Sequence, residues 1–152
     1  MGQQQLLLLV LSTVIVGLAT VAGIQAFGEN QKQATQDALV QRAMSIGSDI
    51  AAAARQPSQM GGIKMGDGNN TADDKSNVAS AIGLSSAAGI SADGAGDNAA
   101  CKINAPSSGS LTLKCDDDAG GSGSYDSGQT VTVTVDPDAN NPVEVTNIKV
   151  TS

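Results

Sequence analysis

The residues of this chain that are best suited to bind a ligand or to react are carboxylates in acidic turns. Asp136, Asp138 and Asn140 place oxygen atoms at alternate positions, as calcium-binding loops do. The full EF-hand pattern is absent, because Asn141 stands where a glycine is needed and Asn147 where a bidentate glutamate is needed. We therefore expect no specific metal site, and the first three residues are only weak calcium candidates.

Catalysis has little support in the composition. The 152 residues include no histidine, which removes the commonest general base and metal ligand, and they include only one Phe, one Tyr and no Trp. Neither a Gly-x-Ser-x-Gly elbow nor a phosphate-binding Gly-x-x-x-x-Gly-Lys loop occurs. The acidic stretches 67–74 and 116–118 are interpreted as solvated surface. We expect a protein that is not an enzyme and has no cofactor.

The charge balance bears on the partners of the chain. Fifteen acidic residues against eight basic ones give a formal net charge of −7. A nucleic-acid partner would require a basic face, so none is expected.

The N-terminal segment is the most strongly marked structural element. Residues 6–28 contain no charged side chain and, at 1.5 Å per residue, form roughly 34 Å of helix, enough to cross a bilayer core. A removable secretory signal is disfavoured, because no basic residue precedes the run and the run is too long. Small residues such as Gly17, Ala19 and Gly23 would let neighbouring helix backbones approach closely.

This apolar run continues without proline into a second helical segment that ends before Pro57. Leu39, Ala43, Ile46 and Ile50 recur at spacings of four, three and four, which makes one apolar stripe. A single helix from about residue 3 to residue 55 would be roughly 80 Å long. Such a helix is suited to pack twice, against its own domain and against copies of itself.

The cysteines belong to a predicted β-hairpin with a turn at residues 106–109. If the two cysteines face each other, three pairs share one side of the hairpin. These pairs are Cys101 with Cys115, Ile103 with Leu113, and Ala105 with Leu111. Lys102 and Lys114 would then lie on the solvent side. An even cysteine count in an exported chain favours a disulfide, so we predict the Cys101–Cys115 bond.

A second hairpin follows, with valines alternating with threonines over residues 130–135. After the loop, Val143 and Val145 are followed by Ile148 and Val150, so the alternation shifts phase and predicts a bulge near residues 146–147. Four strands with one apolar face need a cover, and the stripe within residues 39–54 is the candidate. The fold class is therefore α+β: a long N-terminal helix packed on a small antiparallel sheet.

These features together resemble the type IV pilins, whose pattern the pseudopilins of type II secretion share. The likeness consists of a tiny leader ending in Gly2, a polar start, an uninterrupted apolar stretch, its amphipathic continuation, and a Gly/Ser/Thr-rich β domain with a C-terminal disulfide. The resemblance implies cleavage after Gly2 by a prepilin peptidase and N-methylation of Gln3. The leader lacks basic residues, and Gln5 and Leu7 are neutral where the family carries a glutamate near the mature start.

The expected organisation is a long helix over residues 1–57, a Gly/Ala/Asn-rich connecting region over 58–100, and β-hairpins over 101–152. The expected function is that of a structural subunit of an extracellular type IV pilus-like filament, a homopolymer. It would be membrane-inserted before an assembly machinery extracts it. The alternatives are a single-pass anchored surface binding domain and a pseudopilin. The residues expected to carry polymerisation are Leu6, Leu9, Val10, Val14, Gly17, Leu18, Ala19, Gly23 and Phe27.

Overall fold

A computed structural model of the chain describes residues 2–66 and 73–150. The chain divides into two compact units, Met1–Ala34 and Thr35–Ser152. Helix α1 (Gly2–Ala54) supplies the first unit and opens the second. The other elements follow in this order: a 3₁₀ helix Ser58–Met60, α2 Lys75–Ala81, β1 Ile90–Ser91, β2 Ala100–Ile103, β3 Leu111–Asp116, α3 Ala119–Ser122, β4 Thr130–Val135 and β5 Val143–Lys149.

The second unit contains a five-stranded antiparallel sheet in the order β1-β2-β3-β4-β5. Every strand therefore pairs with its neighbour in sequence, and β1 and β5 are the two edges. The α+β prediction is confirmed, although four strands were expected. The fifth is the two-residue β1, in which Ile90 faces Cys101 and Ser91 faces Ala100.

The predicted register of the first hairpin is confirmed for two of its three residue pairs. Cys101 faces Cys115 and forms the disulfide, and Ile103 faces Leu113. The prediction that Ala105 faces Leu111 on the buried side is wrong, because Ala105 is exposed. The tight turn explains the difference: Ser107 pairs with Ser110, which leaves three residues after Ile103 opposite only two before Leu113. The extra residue displaces Ala105 from the ladder.

The predicted bulge in β5 is present. Val133 pairs with Val145 and Val131 with Ile148, so one extra residue of β5 lies between the two pairs. Val143 and Val145 are half-buried, as the pattern predicts. Ile148 and Val150 are not covered, with 45% and 51% of their surface exposed. They lie near the end of an edge strand, which has a strand neighbour on one side only.

The core of the second unit lies between one face of this sheet and the C-terminal part of α1. Leu39, Ala43, Ile46 and Ile50 are all at most 2% exposed, which confirms the predicted stripe. They belong to one apolar cluster with the inward-facing residues of the strands. Residues of the 58–100 segment join the same cluster: Ile63, Met65, Val78, Ala79, Ala87, Ile90, Ala92, Ala95 and Ala99.

The other face of the sheet is partly covered by residues 117–129, which we call the outer loop. The interpretation of 116–118 as solvated surface is wrong for Asp116, which is fully buried. Thr130, predicted to lie on a wet threonine face, is only 4% exposed. Asp116 and Thr130 face each other at the start of the outer loop, so this loop removes both from solvent. Of the stretch 67–74, residues 67–72 lie outside the described part of the chain.

Candidate functional site

The apolar segment of α1 is the largest exposed hydrophobic surface of the described residues. Thirteen large apolar side chains between Leu6 and Phe27 are each 50–73% exposed. All of the residues expected to carry polymerisation lie on this part of the helix and are exposed: Leu6, Leu9, Val10, Val14, Gly17, Leu18, Ala19, Gly23 and Phe27. Burying one large apolar side chain is worth about 1.5–3 kcal/mol, so this surface favours an apolar environment strongly.

Three glycines in this segment are not explained by packing against any residue in the described ranges. A Cβ built on Gly17, Gly23 or Gly28 would meet no atom within 4 Å. Each glycine in a helix interior costs about 1 kcal/mol relative to alanine. The glycines therefore lower the stability of the helix, and no packing contact inside the described part of the first unit compensates for this loss.

The hydroxyl groups of the segment are satisfied inside the helix itself. Ser12 Oγ donates to the carbonyl of Leu9 at 2.9 Å, Thr13 Oγ1 to that of Val10 at 2.8 Å, and Thr20 Oγ1 to that of Gly17 at 2.8 Å. A hydroxyl bonded to its own preceding turn can enter hydrocarbon without leaving a donor unpaired. These polar residues are thus compatible with an apolar surrounding, which the sequence alone did not indicate.

A shallow apolar groove lies along the same segment. The residues that line it are Thr20, Gly23, Ile24, Phe27, Gly28 and Gln31. Two of these residues are glycines, and a Cβ added at either would enter open space. The groove has the form that a ridge of another helix fills when two helices pack closely.

The first residues of the chain are helical. Gly2 opens α1 and Gln3 lies in its first turn. Cleavage after Gly2 and N-methylation of Gln3 stay predictions, since Met1 lies outside the described residues.

The three weak calcium candidates lie in the loop between β4 and β5. Asp136 Oδ1 accepts the N–H of Asp138 at 3.0 Å, so this carboxylate closes its own turn. Arg55 donates from a guanidinium nitrogen to the carbonyl of Pro137 at 3.4 Å in the same loop. Over the described ranges, no group of three or more acidic, His or Cys side chains is placed to hold a metal ion.

The outer loop is organised around the buried carboxylate of Asp116. Its Oδ1 accepts the N–H of Asp118 at 2.9 Å, and its Oδ2 accepts the N–H groups of Ser127 at 3.0 Å and Gly128 at 3.4 Å. Asp117 Oδ1 accepts the N–H of Gln129 at 2.8 Å. Burial raises the pKa of the Asp117 carboxyl above its ordinary value, and the charge of neighbouring Asp116 adds to the rise.

Basic side chains attach the same loop to the sheet. Lys114 forms an ion pair with Asp126, and the hydrogen bond from this lysine lowers the pKa of the Asp126 carboxyl, to which the lysine's charge also contributes. Lys102 lies over the ring of Tyr125, with Nζ 4.9 Å from the centroid. The Tyr125 hydroxyl accepts the N–H of Gly89 at 2.8 Å. Tyr125, the only tyrosine, therefore holds the outer loop against Lys102 and Gly89. The sequence alone did not indicate this structural role.

Two further observations concern the class of the protein. By length and composition, α1 is the one helix in 2–66 and 73–150 that can span a membrane; its most apolar 18-residue window has a mean hydropathy of 2.5, with none of it buried. A membrane anchor and a signal sequence meet that criterion equally. The chain matches no protein-family model, and neither curated proteins nor solved structures give a match.

Proposed function

We propose that this chain is the structural subunit of an extracellular, type IV pilus-like filament. It polymerises through the apolar part of α1, and the sheet domains form the outside of the fibre. The precursor resides in the inner membrane until a prepilin peptidase cleaves after Gly2 and the assembly machinery extracts the subunit. Gln3 is then the methylated first residue.

The observation that carries the proposal is the contrast between two stretches of one helix. In α1 the stripe from Leu39 to Ala53 is buried in the sheet domain, whereas thirteen large apolar residues from Leu6 to Phe27 are exposed. A plain membrane anchor has no need of a domain core built on the same helix. A filament subunit does, because the helix must hold its own domain and join the bundle of its neighbours.

The glycines support helix packing in particular. A Cβ added at Gly17, Gly23 or Gly28 would meet no atom within 4 Å, two of these glycines (Gly23 and Gly28) line the groove, and all three weaken the helix. Contact with lipid does not compensate for the helix stability lost at a glycine, because acyl chains fill irregular surfaces without a defined ridge. A neighbouring helix does, because small residues let two backbones approach.

The first experiment examines cells that express the full chain. Fractions sheared from their surface should contain fibres in negative-stain micrographs, and the assembled subunit should have the intact mass of a chain cleaved after Gly2 and methylated at Gln3. A membrane-bound chain without fibres would instead favour the single-pass anchored domain. Short fibres confined to the envelope of a secreting cell would favour the pseudopilin.

A pair of matched variants separates assembly from membrane insertion. Gly23→Leu fills the groove but keeps the segment apolar, so we expect normal membrane insertion and few or no fibres. Ala22→Leu also adds a large apolar side chain at an exposed position, on the side of the helix opposite the residues that line the groove, and should assemble as the wild type does. Equal fibre yields from the two variants would show that the groove is not a packing surface.

A further inference from the structure

The strand β5 is one edge of the sheet in the described residues. It is the outermost strand after β4 and runs for seven residues, Val143–Lys149, whereas the opposite edge, β1, has only two. Ile148 and Val150 expose about half of their apolar surface at this edge. Long edge strands with exposed apolar residues are templates for pairing with another strand, because one row of backbone N–H and C=O groups has no strand partner.

The segment 143–150 is chemically symmetric about the peptide bond between Thr146 and Asn147. Residues at equal distances from this bond match in type: Val143 with Val150, Glu144 with Lys149, Val145 with Ile148, and Thr146 with Asn147. An antiparallel pair of two such strands would place each residue opposite its match. Apolar residues would meet apolar residues, and each acid would meet a base.

The bulge allows the matched residues of two such strands to lie on the same face of a joint sheet. Val145 faces Val133 and Ile148 faces Val131, and both of these valines lie on the helix side of the sheet. Without the extra residue at Thr146, strict alternation would send Ile148 to the opposite face from Val145. With it, the apolar residues on both sides of the centre share one face, while Glu144 and Lys149 share the other.

We propose that two copies of this chain pair their β5 edges antiparallel, around a two-fold axis between Thr146 and Asn147. The pairing joins the two sheets into one of ten strands and forms two identical Glu144–Lys149 contacts. Lys149 Nζ donates to the carbonyl of Asp126 at 3.3 Å, and an ammonium with three donors retains two for a carboxylate. The occupant is a second copy because the charges of β5 complement those of β5 itself.

This contact is different from polymerisation through α1. The two-fold axis is perpendicular to the paired sheets, so it reverses the direction of the part of α1 that packs along the sheet. Successive subunits of a helical filament, in contrast, all point the same way. The β5 pair therefore joins sheet domains that are not successive subunits of one filament. The inference rests on the sheet domain alone and holds whether the chain forms filaments or is anchored singly.

Charge reversal tests the pairing in the full-length chain purified in detergent. Glu144→Lys and Lys149→Glu each set like charges opposite each other twice, so each variant alone should self-associate at least about tenfold more weakly in sedimentation equilibrium. An equimolar mixture of the two variants should recover the wild-type affinity, because every contact is again between opposite charges. Asp97→Lys reverses an exposed charge in the loop between β1 and β2 and should change nothing.

Cysteine cross-linking tests the register independently. Chains with Glu144→Cys mixed with chains carrying Lys149→Cys should form a disulfide-linked dimer under mild oxidation, while either variant alone should not. Directly opposed residues of antiparallel strands lie within disulfide range, as Cys101 and Cys115 do in this sheet. Glu144→Cys mixed with Asn147→Cys, two positions out of register, should link slowly. Failure of the mixed charge variants to recover, or equal cross-linking of all combinations, would overturn the proposal.

Discussion

Gly47 of α1 lies directly against Val143 of β5. A Cβ built on Gly47 would come within 2.8 Å of Val143 Cγ1, and within 3.5 Å of a methyl group of both Val133 and Val135. The glycine is buried and lies well inside a helix, where its low helix propensity is a disadvantage. Close approach of the helix to the last two strands explains why glycine stands there.

We therefore expect Gly47→Ala to lower the free energy of unfolding of the sheet domain by about 1 kcal/mol, because overpacking outweighs the gain in helix propensity. Gly47→Leu should lower it further. The neighbouring Ser48→Ala is the control, since Ser48 is exposed and its change should stay within about 0.5 kcal/mol. Thermal and urea melts of the full-length chain in detergent provide the measurement, and a stabilised Gly47→Ala would contradict the tight contact.

The contact of Lys102 with Tyr125 alters what substitutions in the first hairpin should do. Ile103→Asp should unfold the domain, because Ile103 is 2% exposed and an unpaired charge would be buried. Lys102→Asp would be nearly neutral on a fully wet face. The structure instead predicts a loss of about 1 kcal/mol, because the cation leaves the Tyr125 ring and a carboxylate approaches Asp126.

The matched control at this position is Lys102→Arg, which keeps a cation over the ring and should melt close to the wild type. If Lys102→Asp and Lys102→Arg have the same Tm, the ring contact contributes nothing to stability. If Ile103→Asp is tolerated as well as Lys102→Asp, the hairpin register itself is wrong.

The carboxylate of Asp116 should be essential for the outer loop. Asp116→Asn keeps the shape but replaces one acceptor oxygen by an N–H₂ group, which faces backbone N–H donors on either side of the carboxyl. We expect the free energy of unfolding to fall by about 1–3 kcal/mol, the usual cost of an unsatisfied buried donor. Asp118→Asn, at an exposed position of the same acidic run, should cost much less in the same urea titration.

Asp126 should make the domain sensitive to acid. Its pKa is lowered from 3.8 by Lys114, so it stabilises the folded state at pH values above 3.8, and this contribution disappears as the pH falls through the lowered pKa. Asp126→Asn should therefore lower the Tm at pH 7, and the difference from the wild type should shrink toward pH 3. Asp97→Asn removes an exposed carboxylate elsewhere and serves as the control for the loss of one negative charge.

Asp117 should act with the opposite sign. Its pKa is raised from 3.8, so protonation favours the folded state at low pH, and this contribution is lost as the pH rises through the raised pKa. Asp117→Asn keeps an oxygen for the Gln129 N–H and removes the charge beside Asp116. The variant should melt above the wild type at pH 7 and lose this advantage toward pH 3. A variant that is less stable than the wild type at pH 7 would show that the charge itself is needed.

Local periodicity was sufficient for several parts of the fold. The stripe of α1, the Cys101–Cys115 register and the bulge of β5 all follow from spacings of residues close together in sequence. Side chains repeat every 3.6 residues in a helix and every two in a strand, so a pattern of apolar residues identifies the element and its buried face. The apolar run from Leu6 to Phe27 could also be predicted from the sequence, because it depends on composition and length alone.

Other features depended on where distant segments come to lie. Asp116 and Thr130 read as surface residues, and only the return of the outer loop over them makes both buried and turns the Asp116 carboxylate into an acceptor for three N–H groups. Ala105 left the ladder because the tight turn added a residue on its side. Burial and hydrogen bonding of this kind are properties of contacts between segments. No periodicity within a single segment encodes them, so only the tertiary structure could decide them.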